Sequence, residues 1–364
     1  MSKENLNKII FLVSFWILVS LFFIFYDWAI IFEFGVNNVD QLKDYDLSSI
    51  LISSLIATII GGIFIASIEV FYFSKLLRKK PFGVSLIIKT AFYMVNIIFF
   101  TSLSTIIGFG LHYEKSIFHS DIIQMYMTYL FSPRLLSSWI FWGFTVIIAL
   151  FILQISEKLG QGVLVNYLLG KYHRPREEVR IFMFLDLKSS TRLAEKLGHI
   201  RYSLLIQDCF YDLTDVVSKR QAQIYQYVGD EIVLTWKLEQ GLKNRNCINT
   251  YFDYDQVLKR KKKYYMDKYG LVPEFKAGLD SGLITVAEVG EIKKELAYHG
   301  DVLNSASRIQ GMCNQYQSNI LLSERLKDQF NGNIERGFDL IGNIQLKGRS
   351  KTMNVYRIII ESHL

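Results

Sequence analysis

Two carboxylates in the second half of the chain stand in similar frames. Asp186 follows an apolar run in IFMFLDLKSST (181–191), and Asp230 lies at a Gly-Asp turn in IYQYVGDEIVLTW (224–236). Each pattern predicts a strand, so two strands would deliver carboxylate oxygens to one place. Taken singly, either residue also fits an ordinary strand-end or turn acid. Taken together, the two frames favour a site for metal-bound phosphate.

Three hydroxyl residues directly follow the first acid. Ser189, Ser190 and Thr191 are of the type that caps helix N-termini, so we expect a helix to begin beside Asp186. The first turn of a helix has free backbone N–H groups and a positive dipole end, both of which suit a phosphate. The sequence therefore provides groups for metal and for phosphate at one point of the fold.

A second polar group lies in HGDVLNSASRIQ (299–310). Asn304 and Arg308 are four residues apart, so on a helix they share one face. An Arg can stabilise charge on phosphate oxygens, and an Asn can orient a ribose or an attacking group. Alone, the pair also fits an exposed helix surface. Lys347, in IQLKGRSK (344–351), is a third candidate phosphate ligand or a simple turn lysine.

Taken in order, these motifs resemble the class III nucleotidyl cyclases, the adenylyl and guanylyl cyclase family. The resemblance covers about residues 178–360 and is carried by FLDLKSST, YVGDEI, GLDSGLITVAEVG, GDVLNSASRIQ and LKG. It implies an α+β fold with a ferredoxin-like βαββαβ catalytic core. It also implies a homodimer with active sites at the interface, which converts ATP to 3′,5′-cyclic AMP and pyrophosphate.

The resemblance also implies roles for single residues. Asp186 and Asp230 would bind two Mg²⁺ or Mn²⁺ ions, and the backbone carbonyl of Leu187 would be a further ligand. From the opposite subunit, Asn304 and Arg308 would position the ribose and stabilise the transition state. Lys347 would contact the phosphates.

The base-reading positions depart from the family pattern. Adenylyl cyclases of the family usually have Lys before the Gly-Asp turn and Asp or Thr before the later Gly, whereas guanylyl cyclases have Glu and Cys. The corresponding residues here are Gln226 and Ala297. Gln can donate and accept hydrogen bonds, so it fits adenine or guanine. ATP is favoured by family frequency alone, and GTP and the pyrimidine nucleotides remain alternatives.

The first half of the chain, which precedes these residues, is apolar. The chain is 51% hydrophobic, and the excess lies in the first 157 residues. Four stretches there approach or exceed the roughly 20 residues that cross a bilayer as a helix. A buried helical core is the alternative. We predict a transmembrane domain over 1–157 with helices at 8–27, 48–74, 83–111 and 135–157, a helical linker over 158–178, and a catalytic domain over 179–364.

Charge asymmetry predicts the orientation of these helices. The segment after the first apolar stretch is acidic, whereas the second stretch is followed by Lys75, Arg78, Lys79 and Lys80. By the positive-inside rule, the first loop lies outside and the second lies in the cytoplasm. We therefore expect a multi-pass protein of the plasma membrane with cytoplasmic termini and catalytic domain. The third loop, 112–134, is amphipathic and would lie on the membrane or cap the bundle.

The second half alternates between strand and helix patterns. Strands are predicted at 179–187, 222–228 and 231–236, with a helix between the first two that breaks near Gly198. A lysine-rich helix is predicted over 244–268, a second hairpin over 273–290, a helix over 302–314 and short strands to the end. The alternation predicts a mixed sheet with helices on one face.

The remaining composition restricts the partners. The formal net charge is +7, and KRKKKYY (259–265) is strongly basic. A basic face toward anionic lipid or a nucleotide explains this as well as nucleic acid does, and no nucleic-acid partner is expected. Three cysteines without paired spacing are typical of reduced thiols.

Two other functions stay open at this stage. A degenerate cyclase-like domain would bind nucleotide as a receptor module without turnover. A transporter with a cytoplasmic sensor domain would need charges inside its membrane half. Glu69 and Lys89 are the candidates there, unless they lie near helix ends or pair with each other.

Overall fold

The computed structural model describes residues 3–33, 47–78, 80–159, 163–330, 337–345 and 352–359. It divides into two compact units, Met1–Lys158 and Leu159–Leu364. The helices of the first unit are α1 (Lys3–Glu33), α2 (Leu47–Ile68), α3 (Ser74–Leu76), α4 (Phe82–His112), α5 (Ser120–Leu130) and α6 (Pro133–Leu159).

The first unit contains the apolar helices that the sequence predicts. Among the described residues, four segments are long and apolar enough to cross a membrane. Their bounds are Lys8–Ala29, Ile50–Phe73, Phe82–His112 and Leu135–Ser156. The prediction of four apolar helices followed by an α+β domain is confirmed.

Aromatic side chains form the centre of this unit. The ring of Trp16 on α1 lies 5.9 Å from that of Tyr93 on α4 and 6.2 Å from that of Trp142 on α6. Small residues allow the helices to approach each other, as expected for packing inside a membrane. A Cβ added at Gly61 of α2 would lie 2.8 Å from the Phe100 ring of α4. The Phe100 ring of α4 therefore packs directly against the backbone of α2 at Gly61.

A buried ion pair lies where α2 ends. The helix continues through a π-helical turn, Glu69–Phe73, before α3. Lys89 Nζ lies 2.5 Å from Glu69 Oε1, and the Tyr93 hydroxyl donates to Glu69 Oε2 at 3.1 Å. The Lys89 side chain is only 7% exposed, and that of Glu69 is 14% exposed. The two charges pair with each other, as one of the alternatives predicted.

The segment between the last two long helices packs against the unit. Helix α5 buries Ile122 completely. Its Tyr129 ring lies 6.0 Å from the ring of Phe109 on α4. The amphipathic segment thus caps the end of the bundle at which α4 ends.

The second unit begins with α6's last residue, and its elements alternate as predicted. They are α7 (Val163–Leu168), β1 (Arg176–Leu187), α8 (Ser190–Lys219), β2 (Gln223–Val228), β3 (Glu231–Lys237), α9 (Leu238–Leu242), α10 (Asn246–Arg260), α11 (Lys262–Tyr269), β4 (Phe275–Val289), β5 (Glu295–His299), α12 (Asp301–Gly311), β6 (Ile320–Ser323), α13 (Glu324–Lys327), β7 (Phe338–Gln345) and β8 (Thr352–Ile358).

Within the described residues these strands form one eight-stranded sheet. Its order is β2-β3-β1-β4-β6-β8-β7, and β5 also pairs with β4. Strands β1 to β4 pair antiparallel in the order β2-β3-β1-β4. Together with α8 and α10 they give the βαββαβ order of a ferredoxin-like core. The predicted fold class is confirmed.

The predicted second hairpin over 273–290 is wrong. This segment is a single strand, β4, that pairs with β1 from Phe275 to Val286. The Asp-Ser-Gly sequence suggested a turn, but Gly282 continues the strand opposite Arg180. A Cβ at Gly282 would lie 2.9 Å from Val302 of α12, so the glycine makes room for a helix.

Helices cover both faces of the sheet, which corrects the prediction of one covered face. Ile181, Met183 and Leu185 of β1 pack in the cluster that contains residues of α8, α10 and α11. Phe182, between them in sequence, packs with Val302 of α12. Because successive strand residues point to opposite faces, α12 lies on the face opposite to α8.

Two helix predictions have different outcomes. The break expected near Gly198 is confirmed, since Gly198 has φ +72 within α8. The single helix expected over 244–268 is wrong, because α10 and α11 are separate helices that meet at Lys261.

The buried pair predicts an asymmetric response to substitution. Lys89→Met would leave the Glu69 carboxylate buried without its cation and lower the free energy of unfolding by about 3–5 kcal/mol. The double variant Glu69→Gln/Lys89→Met removes both charges and should regain most of this loss. Unfolding of the full chain in mixed detergent, followed by tryptophan fluorescence, measures both effects.

The exposed pair of Lys115 and Asp121 provides the control. Its atoms also lie 2.5 Å apart, but the side chains are 42% and 47% exposed. Lys115→Met should therefore lower the stability much less than Lys89→Met does, because solvent screens an exposed pair. Equal losses for the two lysine variants would show that burial of the Glu69–Lys89 pair has no energetic role.

Candidate active site

The first acid, Asp186, lies near the end of β1 on the face that α12 covers. Its register neighbours are Glu231 on β3 and Lys276 on β4. Side chains directly opposite each other on paired strands point to the same face. The three ionisable groups are therefore brought together by strand register.

Two side chains contact the same oxygen of this acid. Gln310 Nε2 of α12 donates to Asp186 Oδ2 at 2.8 Å, and Lys276 Nζ lies 3.3 Å from that oxygen. Gln310 reaches Asp186 because α12 packs directly on β4. A Cβ at Gly278 would overlap the backbone N of Gln310 and the carbonyl oxygen of Ala306. Glycine at this position thus sets the height of α12 above the acid.

The second acid, Asp230, lies in the turn between β2 and β3. Gly229 before it has φ +63, a conformation that glycine adopts without strain. Burial and then the charge of Asp230 raise the pKa of Asp186, and Lys276 opposes this shift. Burial, followed by the charges of Asp186 and Asp230, raises the pKa of Glu231 to about 7. Negative charge is therefore concentrated here beyond what Lys276 offsets.

This arrangement fits divalent cations bound together with a ligand. Carboxylates and a backbone carbonyl are the oxygen donors that Mg²⁺ prefers, and Leu187 places its carbonyl next to Asp186. Burial, followed by repulsion from neighbouring carboxylates, raises the pKa of Asp186 and of Glu231, and a bound cation would offset the repulsion. In the described ranges, no group of three or more His, Cys, Asp or Glu residues forms a ready metal cage. Asp186 and Asp230 would hold the ions with oxygens of the ligand completing the coordination.

The hydroxyl residues after Asp186 lie at a helix start, as predicted, but do not cap it in the expected way. Ser189 immediately precedes α8, has φ 54, and makes no capping hydrogen bond with its side chain. The first helical bond is donated by Leu193 N to Ser189 O at 3.0 Å. The backbone N–H groups of Ser190, Thr191 and Arg192 come before this bond, so they have no carbonyl partner within the helix. They are therefore available to an anion.

Asn304 and Arg308 lie on the side of α12 that faces away from β4. Ala306 and Gln310 contact β4, and residues two positions away on a helix point in nearly the opposite direction. Asn304 is exposed and Arg308 is half-buried. Within the described part of the chain, neither side chain has a hydrogen-bond or ion-pair partner. Asn304 and Arg308 therefore do not point toward Asp186 of the same chain. Lys347 lies outside the described residues.

The two base-reading candidates lie on segments that meet. Gln226 is exposed on β2, opposite Val233, and Ala297 is half-buried on β5, opposite Ala287. Three strands separate β2 from β5 in the sheet. Even so, the rings of their neighbours Tyr225 and Tyr298 lie 4.7 Å apart in a T-shaped contact.

The sequence did not reveal several residues of this site. Lys276, Glu231 and Gln310 surround Asp186, and burial followed by the charge of Asp230 raises the pKa of Tyr202 to about 12. Lys276 and Glu231 would be recognised as neighbours of Asp186 only once the strand register is known. The sequence alone does not give that register. Gln310 shares a motif with Arg308, but the helix points the two side chains in opposite directions.

Comparison with known proteins shows the family of the second half of the chain. Residues 171–360 match the family model described as the adenylate and guanylate cyclase catalytic domain. Adenylate cyclase 2 of Rhizobium meliloti (strain 1021) is 32% identical over 206 residues, which are 57% of this chain and 57% of that protein. Adenylate cyclase 1 of the same organism is 26% identical over 189 residues, covering 50% and 28%. The chain therefore spans 57% or less of the length of these relatives.

A solved structure shows the same fold. A bacterial light-regulated adenylyl cyclase matches with a TM-score of 0.51 and 19% identity, covering 62% of this chain and 65% of that chain. The family model matches more than half of the sequence and all of the β1–β6 region that carries the acids. The chain belongs to the adenylate and guanylate cyclase catalytic-domain family, the class III nucleotidyl cyclases.

Proposed function

We propose that the chain is a membrane-inserted, homodimeric adenylate cyclase that converts ATP to 3′,5′-cyclic AMP and pyrophosphate. The observation that carries this proposal is the division of the site. Asp186 lies beside α12 and interacts with Asp230, while Asn304 and Arg308 project from the other side of that helix. A second copy related by two-fold symmetry would bring its Asn304 and Arg308 to the acids of the first.

The reaction transfers the α-phosphorus of ATP to its own ribose. The 3′-oxygen attacks that phosphorus, the bond to the bridging oxygen breaks, pyrophosphate leaves, and the hydroxyl proton passes to solvent. When bound, two Mg²⁺ or Mn²⁺ ions supply Lewis-acid activation of the hydroxyl and neutralise the triphosphate. Asp186, Asp230 and the Leu187 carbonyl would hold them.

The protein's own groups then act on charge and position. Arg308 of the partner subunit would stabilise the negative charge that grows on the phosphate oxygens, and Asn304 of the partner subunit would orient the ribose. The backbone N–H groups at the start of α8, around Ser189 and Thr191, would donate hydrogen bonds to the triphosphate. Lys347 is proposed as a further phosphate contact.

Adenine is proposed as the base because the relatives that match the chain are named adenylate cyclases. Gln226 would accept from the adenine amino group or donate to a ring nitrogen, whereas the Ala297 side chain forms no hydrogen bond. The same amide can read guanine after a flip, so GTP is the second substrate to test.

Insertion in the plasma membrane with a cytoplasmic catalytic domain is proposed from the helical unit. Its four long helices are apolar, and Lys80 and Arg78 lie between the second and third. Lys and Arg are enriched in cytoplasmic loops. This orientation gives the catalytic unit access to cellular ATP, and lipid is then a partner of the first unit.

Turnover of the four ribonucleoside triphosphates tests the activity. With Mn²⁺, the full chain should form cyclic AMP from ATP faster than it cyclises GTP, CTP or UTP. Gln226→Lys replaces an amide with a pure donor and should raise the ATP-to-GTP ratio of kcat/KM by about fivefold, the equivalent of one hydrogen bond. Nucleotide binding without any cyclic product, unaltered by Asp230→Ala, would instead support a receptor module.

Mixing two inactive variants tests the shared site. Asp186→Ala and Arg308→Ala should each abolish turnover. Co-expressed in equal amounts, they should restore about a quarter of the wild-type activity, because half of the dimers are mixed and each has one intact site. No recovery, with mixed dimers demonstrated by two affinity tags, would contradict a site built from both subunits.

Gln310 is predicted to position Asp186 for metal binding. Gln310→Met keeps the side-chain volume but removes the donor, and loss of such a supporting hydrogen bond typically weakens metal affinity about 10–100-fold. Mn²⁺ binding measured by electron paramagnetic resonance should show this loss. Gln315→Met, at an exposed position just beyond α12, is the matched control and should leave binding unchanged.

A further inference from the structure

The helical unit contains a partly open cavity that the proposed cyclase reaction does not use. Its volume is about 260 Å³, slightly below the range of about 300–1,000 Å³ that is typical of ligand pockets. It is lined by α1, α2, α4 and α6, from Trp16 and Trp142 at mid-bundle to Asp27 and His112 at one end. Tyr129 of the capping helix α5 also lines it.

One polar group in its wall has no partner. Trp16 is 6% exposed, and its indole N–H has no hydrogen-bond acceptor among the described residues. A buried donor without an acceptor costs about 1–3 kcal/mol. Of the described side chains with such an orphaned atom, Trp16 is the one that lines the cavity. A molecule in the cavity that presents an oxygen acceptor would remove this cost.

The remaining polar groups in the wall mostly offer acceptors. Thr101 and Thr105 donate their hydroxyl protons to carbonyl oxygens one turn earlier, at 2.7 and 3.0 Å. Thr58 donates to Ser20 at 3.0 Å. Their oxygen lone pairs remain able to accept. A ligand hydroxyl could therefore accept from Trp16 and donate to a serine or threonine.

The charge of the wall restricts the ligand further. Among the lining residues that the structure describes there is no Lys or Arg, so an anion would be buried without a cation. Ile97, Phe100 and Trp142 supply apolar surface for a hydrocarbon chain. We infer that this cavity is a binding site for a small uncharged amphiphile carrying a hydroxyl group. The site is separate from the nucleotide site and gives the helical unit a ligand-binding role.

Photolabelling tests this inference on the full chain in phosphatidylcholine nanodiscs. The probe is a diazirine derivative of octanol, and adducts are located by mass spectrometry. Adducts should form on Trp16, Asn96 and Trp142, and excess octanol should suppress them at least fivefold. Octane and octanoate, of the same chain length, should not suppress them.

Two variants separate the cavity from the lipid-facing surface. Thr101→Phe fills the cavity and should reduce these adducts severalfold, whereas Val95→Phe, at a residue 67% exposed on the same helix, should leave them unchanged. Trp16→Phe keeps an aromatic ring but removes the N–H, and it should weaken octanol competition about fivefold to tenfold.

Three results would overturn the inference. Adducts confined to outward residues such as Ile87 and Val95 would place the probe in lipid. Equal competition by octane and octanol would show an apolar void without hydroxyl recognition. Unchanged competition in Trp16→Phe would remove the role of the indole. Cyclase activity is not the readout, so none of these results depends on the proposed reaction.

Discussion

The backbone of α12 lies directly on β4 at Gly278, and the active site depends on this contact. It brings Gln310 to Asp186 at 2.8 Å and turns Arg308 away from that acid. A larger residue at Gly278 would lift the helix, because its Cβ would overlap backbone atoms of α12 that cannot rotate aside. One close approach therefore both supports Asp186 and leaves Asn304 and Arg308 on the side of α12 that faces away from β4.

The acids themselves are held in an unfavourable electrostatic arrangement. Burial and mutual repulsion raise the pKa of Asp186 and bring that of Glu231 to about 7, although Lys276 offsets part of the charge. Such a cluster is stable only because strand register holds β1, β3 and β4 together. In the proposed reaction, cations bound with a triphosphate would relieve this repulsion.

In the helical unit, too, a glycine permits close packing and buried charges are paired. Gly61 allows the Phe100 ring of α4 to pack directly on α2, and the charges of Glu69 and Lys89 are neutralised by pairing. The pairing gives these charges a structural role, so they do not require a transport path. The same helices line a cavity with hydroxyl and aromatic groups, and the Trp16 N–H in its wall has no acceptor among the described residues.

The sequence by itself determined the four apolar segments, the order of strands and helices, and the acids Asp186 and Asp230, because these follow from local composition and periodicity. It mispredicted β4 as a hairpin, since Gly282 marks a helix contact rather than a turn. Only the tertiary structure decided that α12 covers the opposite face and that Gln310 and Lys276 hold Asp186. These features depend on strand register and helix packing between distant segments, which a pattern of neighbouring residues does not encode.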